Sequence, residues 1–246
     1  IRDENNQVIN RITGPTKKGI HRVAWDLRYP SARAIDPDEV DPEDDDPRGL
    51  IVPPGTYSVT LSKKENGKTT VLSEAIPFEV TPLYDGALEG STFAGAEAYR
   101  QEVNNLQKGV TALTQAFRNA DKRVKAMQEA LSRTTADEPE LDSLLFALER
   151  DLDTLDIELH GNRAKYEIGE KIDPTLRHYY RVAMSGASNL TYGPTAMHRE
   201  CLDIAQDEFS EVKDELETIR RDRIPELEKM LQEAGAPWIE GQELPE

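Results

Sequence analysis

The chain is nearly devoid of cysteine, poor in aromatic residues and short of positive charge, and each scarcity removes a class of explanation. With one cysteine, Cys201, in 246 residues, it can form neither an intrachain disulfide nor a zinc site built on several thiolates. The four histidines, His21, His160, His178 and His198, never fall at a metal-ligand spacing such as His-Glu-x-x-His. No apolar run approaches the ~20 residues of a membrane-spanning helix, and no signal peptide is visible. Lys and Arg total 30 against 47 Asp and Glu, a formal charge of -17. Such a field repels phosphate backbones and anionic lipid, so neither nucleic acid nor membrane insertion is expected. A Gly-x-Ser-x-Gly nucleophile signature is also missing.

What is present divides by period. Up to about Pro82 apolar residues alternate with polar ones, the two-residue repeat of half-buried strands. Val23, Trp25, Leu27 and Tyr29 are expected on one face, with Asp26 and Arg28 on the other, close enough to pair. Tyr57, Val59 and Leu61 repeat the pattern, as do Ile76, Phe78 and Val80. Asn66-Gly67 is the favoured pair for a two-residue hairpin needing positive φ at both positions. Pro53, Pro54 and Gly55 form a turn into the next strand. The opening stretch IRDENNQVINRI looks like strand, turn, strand, and the chain starts at Ile1 without an initiator Met. A fragment of a larger protein is the expectation.

From about Phe93 the period is helical. Tyr99, Val103, Leu106, Val110, Leu113, Phe117, Ala120, Val124, Met127 and Leu131 alternate spacings of four and three, a heptad seam. Leu141, Leu145, Leu148, Leu152, Leu155 and Leu159 continue it in a second helix, and Leu202, Ala205, Phe209, Val212, Leu216 and Ile219 in a third. Pro139 and Gly193-Pro194 suit helix starts, Gly235 and Pro237 suit an end, and Pro225 is expected to bend the third helix. Each buried seam residue contributes roughly 1.5 to 3 kcal/mol, so the three stripes should cover one another. The expected fold is therefore α+β in two domains. Residues 1-84 form a small antiparallel β-sandwich, truncated at its start and given an immunoglobulin-like character by the resemblance below, and 85-246 an elongated antiparallel three-helix bundle with a loop near 185-195.

A Trp-Asp pair can mark a propeller blade, but the motif would then recur every 40 residues or so, and here it occurs once. The pair GIHRVAWDLRYP and RGLIVPPGTYSVTL instead resembles the C-terminal region of bacterial sortilin-like proteins with Asp-box (BNR) β-propellers, often labelled glycosyl hydrolases. Its strand half is similar to the FlgD-type immunoglobulin-like domain. Gly19, Trp25, Asp26, Leu27, Arg28, Pro54, Gly55, Thr56 and Tyr57 carry the likeness, and the closing EAGAPWI extends it towards the end of the chain. The Asp-box motif Ser-x-Asp-x-Gly-x-x-Trp is absent. The resemblance implies that Trp25, Asp26, Arg28, Pro54, Gly55 and Tyr57 are structural anchors. It also implies a secreted or periplasmic parent, with any catalytic centre upstream of Ile1.

Two features remain as candidate sites. Eight of the eleven residues from Asp36 to Asp46 are acidic, enough oxygens for Ca²⁺, and Asp36, Asp38, Asp41, Asp44 and Asp46 are the candidate ligands. Against that, the spacing matches no Ca²⁺ loop, and a solvated insertion between strands is the simpler reading. Tyr166, Tyr179, Tyr180 and Tyr192 could stack on sugars or on a protein surface, or pack between helices. With 47 acids, carboxyl pairs arise by chance, and none stands out as a hydrolytic couple. The expected function is a non-catalytic accessory region that docks on a propeller and offers a helical surface to a partner. A carbohydrate-binding module is the alternative, and a hydrolase in its own right the third. No cofactor is expected beyond the candidate Ca²⁺.

Overall fold

The computed structural model describes residues 1-36, 47-83, 90-135, 139-188, 192-242 and 244. Within them the chain is mixed α+β, with six short strands preceding a set of helices. The strands form three separate two-stranded antiparallel sheets: β1 (Arg28–Pro30) with β2 (Arg48–Ile51), β3 (Gly55–Val59) with β6 (Ile76–Val80), and β4 (Ser62–Glu65) with β5 (Lys68–Val71).

The opening segment turns back on itself at Asn6, whose φ is 62°, and Arg2 bridges both Val8 and Ser58. Ser58 and Arg2 exchange both backbone bonds at 2.9 Å, an isolated bridge on the outer edge of β3. Ser58 therefore points away from β6. Its register partner Pro77 faces outward, where a missing N–H costs no ladder bond. Asn66 and Gly67 turn the β4–β5 hairpin at φ 50° and 78°, as the sequence requires.

The alternation expected over residues 21-29 is corrected. Only Arg28–Pro30 are extended as a strand, and Val23 lies exposed. Leu27 has φ 59°, a left-handed conformation that reverses the phase of the side chains around it. Asp26 and Arg28 do not pair through their side chains. Asp26 Oδ1 accepts from the Arg28 backbone N–H at 3.2 Å, while Arg28 Nη1 donates to the Gly49 carbonyl at 3.0 Å. Trp25 Nε1 donates to the Arg28 carbonyl at 3.0 Å, so Trp-Asp-Leu-Arg is a hydrogen-bonded turn rather than a strand. Its indole packs edge-on against Tyr57 at 5.6 Å and Phe78 at 6.1 Å, and this ring triad heads a small core with Ile9 and Val52.

That core is thin. Ile9, Val52 and Tyr57 are its buried members, worth roughly 1.5 to 3 kcal/mol each against ~1 to 2 kcal/mol of backbone ordering per residue. The strand region accordingly leans on the helices. Leu50 is buried in the helical core, Tyr29 packs against it, and the Ala34 N–H donates to Thr111 Oγ1 at 2.9 Å.

The helices are α1 (Phe93–Ser132), α2 (Pro139–His160), the short α3 (Arg163–Glu167), α4 (Leu176–Ser188), α5 (Ala196–Thr218) and α6 (Ile224–Glu233). All six α2 seam leucines are buried, as is the α1 seam through Met127, with Leu131 partly covered. In the third stripe Leu202, Ala205, Val212, Leu216 and Ile219 are buried and Phe209 is half-buried. Pro225 lies in the first turn of α6. A π-helical turn, Ile219–Arg223, precedes it, and the Ile224 N–H reaches the Ile219 carbonyl five residues back, so α5, the π turn and α6 follow one another without a break in helical structure. α6 ends at Gly235 as expected, where Ala236 N donates to Leu231 O at 3.0 Å in a Schellman closure.

Direction follows from contacts at the two ends. Tyr99 OH lies 2.8 Å from the Ala183 carbonyl and 3.1 Å from that of His198, whereas Arg123 Nη2 meets Glu228 Oε2 at 2.7 Å. α1 and the α5–α6 rod therefore run the same way. α2 and α4 return between them, with the 161-175 segment separating the two. Gly109 sits where the Phe209 ring presses on α1: a Cβ there would lie 2.5 Å from Cζ.

Candidate functional site

By residue type alone, Ser185 beside His198 has the makings of a nucleophile and its base. Ser185 Oγ lies 3.4 Å from His198 Nε2, but Nδ1 accepts from the Thr195 backbone N–H at 3.0 Å. A neutral ring accepting at Nδ1 carries its proton on Nε2 and cannot take one from the serine. The contact belongs to a capping box at the start of α5, where Thr195 Oγ1 receives the His198 N–H and the ring closes the other half. The remaining histidines are equally local. His160 Nδ1 meets Asp156 Oδ1 at 2.7 Å, His21 Nε2 lies 2.6 Å from Lys17 O, and His178 is 3.5 Å from Thr175.

The sequence candidates are not brought together. Tyr166 is exposed on α3, Tyr179 and Tyr180 are half-buried against the helical core, and Tyr192 lies beyond the other end of α4, against Gly90 and Ser91. They form no joint aromatic surface. Burial raises the Tyr180 hydroxyl above its ordinary range, which suits a packing role. Of the acidic stretch, Asp36 is described and lies 3.8 Å from Arg118 Nη1; Asp38, Asp41, Asp44 and Asp46 lie outside the described residues. No group of three His, Cys, Asp or Glu among the described residues could hold a metal ion. Pro54 and Gly55 open β3 as anticipated, and Tyr57 OH donates to the Pro53 carbonyl at 2.7 Å.

An open cleft of about 420 Å³ lies between the end of α2, the 161-175 segment and α5. Glu158, Glu208 and Glu211 line it beside Lys165, Lys171 and Asp173. Burial, then Glu215 and Glu211, hold the Glu158 carboxyl above the usual range; burial, then Glu211 and Glu158, do the same for Glu208. The sequence shows the acids of α5 at spacings of three and four. It does not show that Glu158 of another helix faces them.

The most distinctive surface is the face of the β3–β6 sheet. Tyr57 opposite Phe78 forms its covered end, beneath Trp25. Two residues on, Val59 opposite Ile76 is bare, with 43% and 61% of their surface exposed. Beyond the end of β3, Leu61 is joined to Leu72 by a backbone bond of 2.8 Å, and both are exposed, as is neighbouring Val71. Contiguous apolar exposure of this kind marks contact with another surface more often than a free one. No helix among the described residues is long and apolar enough to cross a membrane. Comparison with protein-family models, curated proteins and solved structures returned no match.

Proposed function

We propose that this chain is a non-catalytic accessory region of a larger secreted or periplasmic protein of the Asp-box propeller, sortilin-like type, and that it docks on the rest of its parent through the strand region. The half-bare face of the β3–β6 sheet carries this reading. Val59, Leu61, Leu72 and Ile76 are the residues a sandwich would bury, and they stand exposed beside a covered Trp25–Tyr57–Phe78 cluster. In this proposal residues 1-84 are an incomplete FlgD-type immunoglobulin-like sandwich whose missing cover is a neighbouring domain. Residues 85-246 are a helical bundle against which that region leans through Leu50 and Tyr29. Leu144 and Phe146, exposed on α2, supply apolar contact for a further partner.

The test mixes this chain with the separately expressed propeller of the same parent protein. A complex that forms with the native chain and is lost on V59D/I76D, with the helical circular dichroism unchanged, is the expected result. Failure of the native chain to bind would overturn the docking. Specific binding to one glycan class on an array would replace it with the carbohydrate-module reading, and turnover of aryl-glycosides by this chain alone would overturn the non-catalytic assignment.

A further inference from the structure

We infer that Asn66 is a site of spontaneous backbone modification, converting to aspartate and isoaspartate in the folded protein. The inference stands apart from the docking proposal. Asn66-Gly67 is the chain's only Asn-Gly sequence, and three features of its setting favour the chemistry. Every residue of β4 and β5 is exposed, so no buried side chain holds the hairpin shut. A two-stranded hairpin without a packed face is marginal in water and opens readily. The ladder closes at Glu65 opposite Lys68, which leaves the Gly67 N–H outside it, and neither that group nor the Asn66 side chain makes a hydrogen bond among the described residues. The nucleophile therefore has no bond to break before it attacks. Finally, Gly67 carries no Cβ to obstruct ring closure, and nothing lies within 4 Å of where one would stand.

The step balances with water as the only co-reactant. The Gly67 nitrogen attacks Asn66 Cγ and forms a new N–Cγ bond; the Cγ–Nδ2 bond breaks, and ammonia leaves with the proton from the Gly67 amide. Water then opens the cyclic imide. Attack at Cγ yields aspartate, and attack at the backbone carbonyl yields isoaspartate, in which the main chain runs through Cγ. Either product places a carboxylate at a tip that carries Lys63, Lys64 and Lys68. Isoaspartate also adds a main-chain atom to a turn that admits two residues, so the β4–β5 register is lost with it.

The test incubates the full chain in neutral to mildly alkaline buffer, once native and once in urea, and maps the segment 62-72 by mass and by isoaspartyl methyltransferase labelling. Native conversion is the open-chain rate scaled by the open fraction, so native Asn66 should lag the urea sample by no more than about tenfold. Asn66→Gln should abolish the signal, and hydrogen exchange of the β4–β5 amides should quicken in the isoaspartyl fraction. A native chain that leaves Asn66 intact while the urea sample converts would overturn the inference.

Discussion

The Tyr29 hydroxyl donates to Glu97 Oε1 across 3.0 Å, a bond between a residue of β1 and one in the second turn of α1, 68 positions later. Gln101 Nε2 also donates to that oxygen, at 2.6 Å, while Arg100 stands 4.0 Å from Oε2, which is buried without a hydrogen bond. The strand and helical regions thus meet at a carboxylate that is only partly satisfied. Tyr29→Phe should lower stability by about 0.5 to 1.5 kcal/mol, because the bond that joins the two regions is lost while Gln101 still donates to Oε1. Hydrogen exchange should show β1 and β2 opening more readily, with the α2 seam unaffected.

Alkaline titration should separate the tyrosines. Burial, then Glu97, carries Tyr29 well above its ordinary range; burial, then Glu97, Asp3 and Glu4, pushes Tyr57 to about 12. Since the folded values exceed the unfolded value near 10, the stability these groups contribute is complete below pH ~10 and is lost as pH rises through the folded values. Ultraviolet absorbance of phenolate should show late ionisation coincident with loss of the strand core. Ionisation of Tyr29 and Tyr57 at ordinary values, with structure intact, would contradict the packing described.

On the acid side the sign is the same and the window differs. Glu158 and Glu208 are raised above the ordinary carboxyl value in the folded state, so their contribution is greatest below the unfolded value and fades as pH rises through the folded ones. E158Q/E208Q should therefore raise the melting temperature near neutrality and flatten its dependence on pH between the carboxyl range and neutrality. Thermal melts across that interval measure it.

Gly109→Ala should cost about 1 to 3 kcal/mol, since the new methyl group meets the Phe209 ring in a closed core. The double variant G109A/F209L should recover part of the loss. Denaturant melts of the two single variants and the pair give the coupling directly.

Residues two apart on one strand should respond in opposite ways. Phe78→Ala removes a half-buried ring of the Trp25 cluster and should cost about 1 to 3 kcal/mol. Ile76→Lys lies on the bare end and should stay within about 0.5 kcal/mol of the parent. Equal losses would mean that the strip is covered in this chain alone.

The helical pattern was legible because a heptad stripe needs only its own helix to declare which face is apolar. Leu141 to Leu159 and Tyr99 to Met127 are buried as their spacing implied. The 161-175 break in the return path, and the π turn before Pro225, depend on where neighbouring rods leave room. The strand region was less legible. Alternation at residues 21-29 foretold a strand, whereas Leu27 at positive φ turned the Trp-Asp motif into a hydrogen-bonded corner. The four tyrosines looked like a cluster because they share one stretch of chain, yet α4 separates Tyr192 from the rest. The sequence singled out neither the cleft acids nor the bare sheet face, since each depends on elements far apart in the chain.

By itself the sequence determined the helix faces, the Asn66-Gly67 hairpin, the helix end at Gly235 and the acidic charge, all properties of neighbours within a few residues. Only the tertiary structure decided that Val59 and Ile76 stand uncovered beside a buried Tyr57 and a half-buried Phe78. Alternation states which residues share a face; it cannot state whether another surface lies over it, because that depends on how many elements the rest of the fold brings to that side.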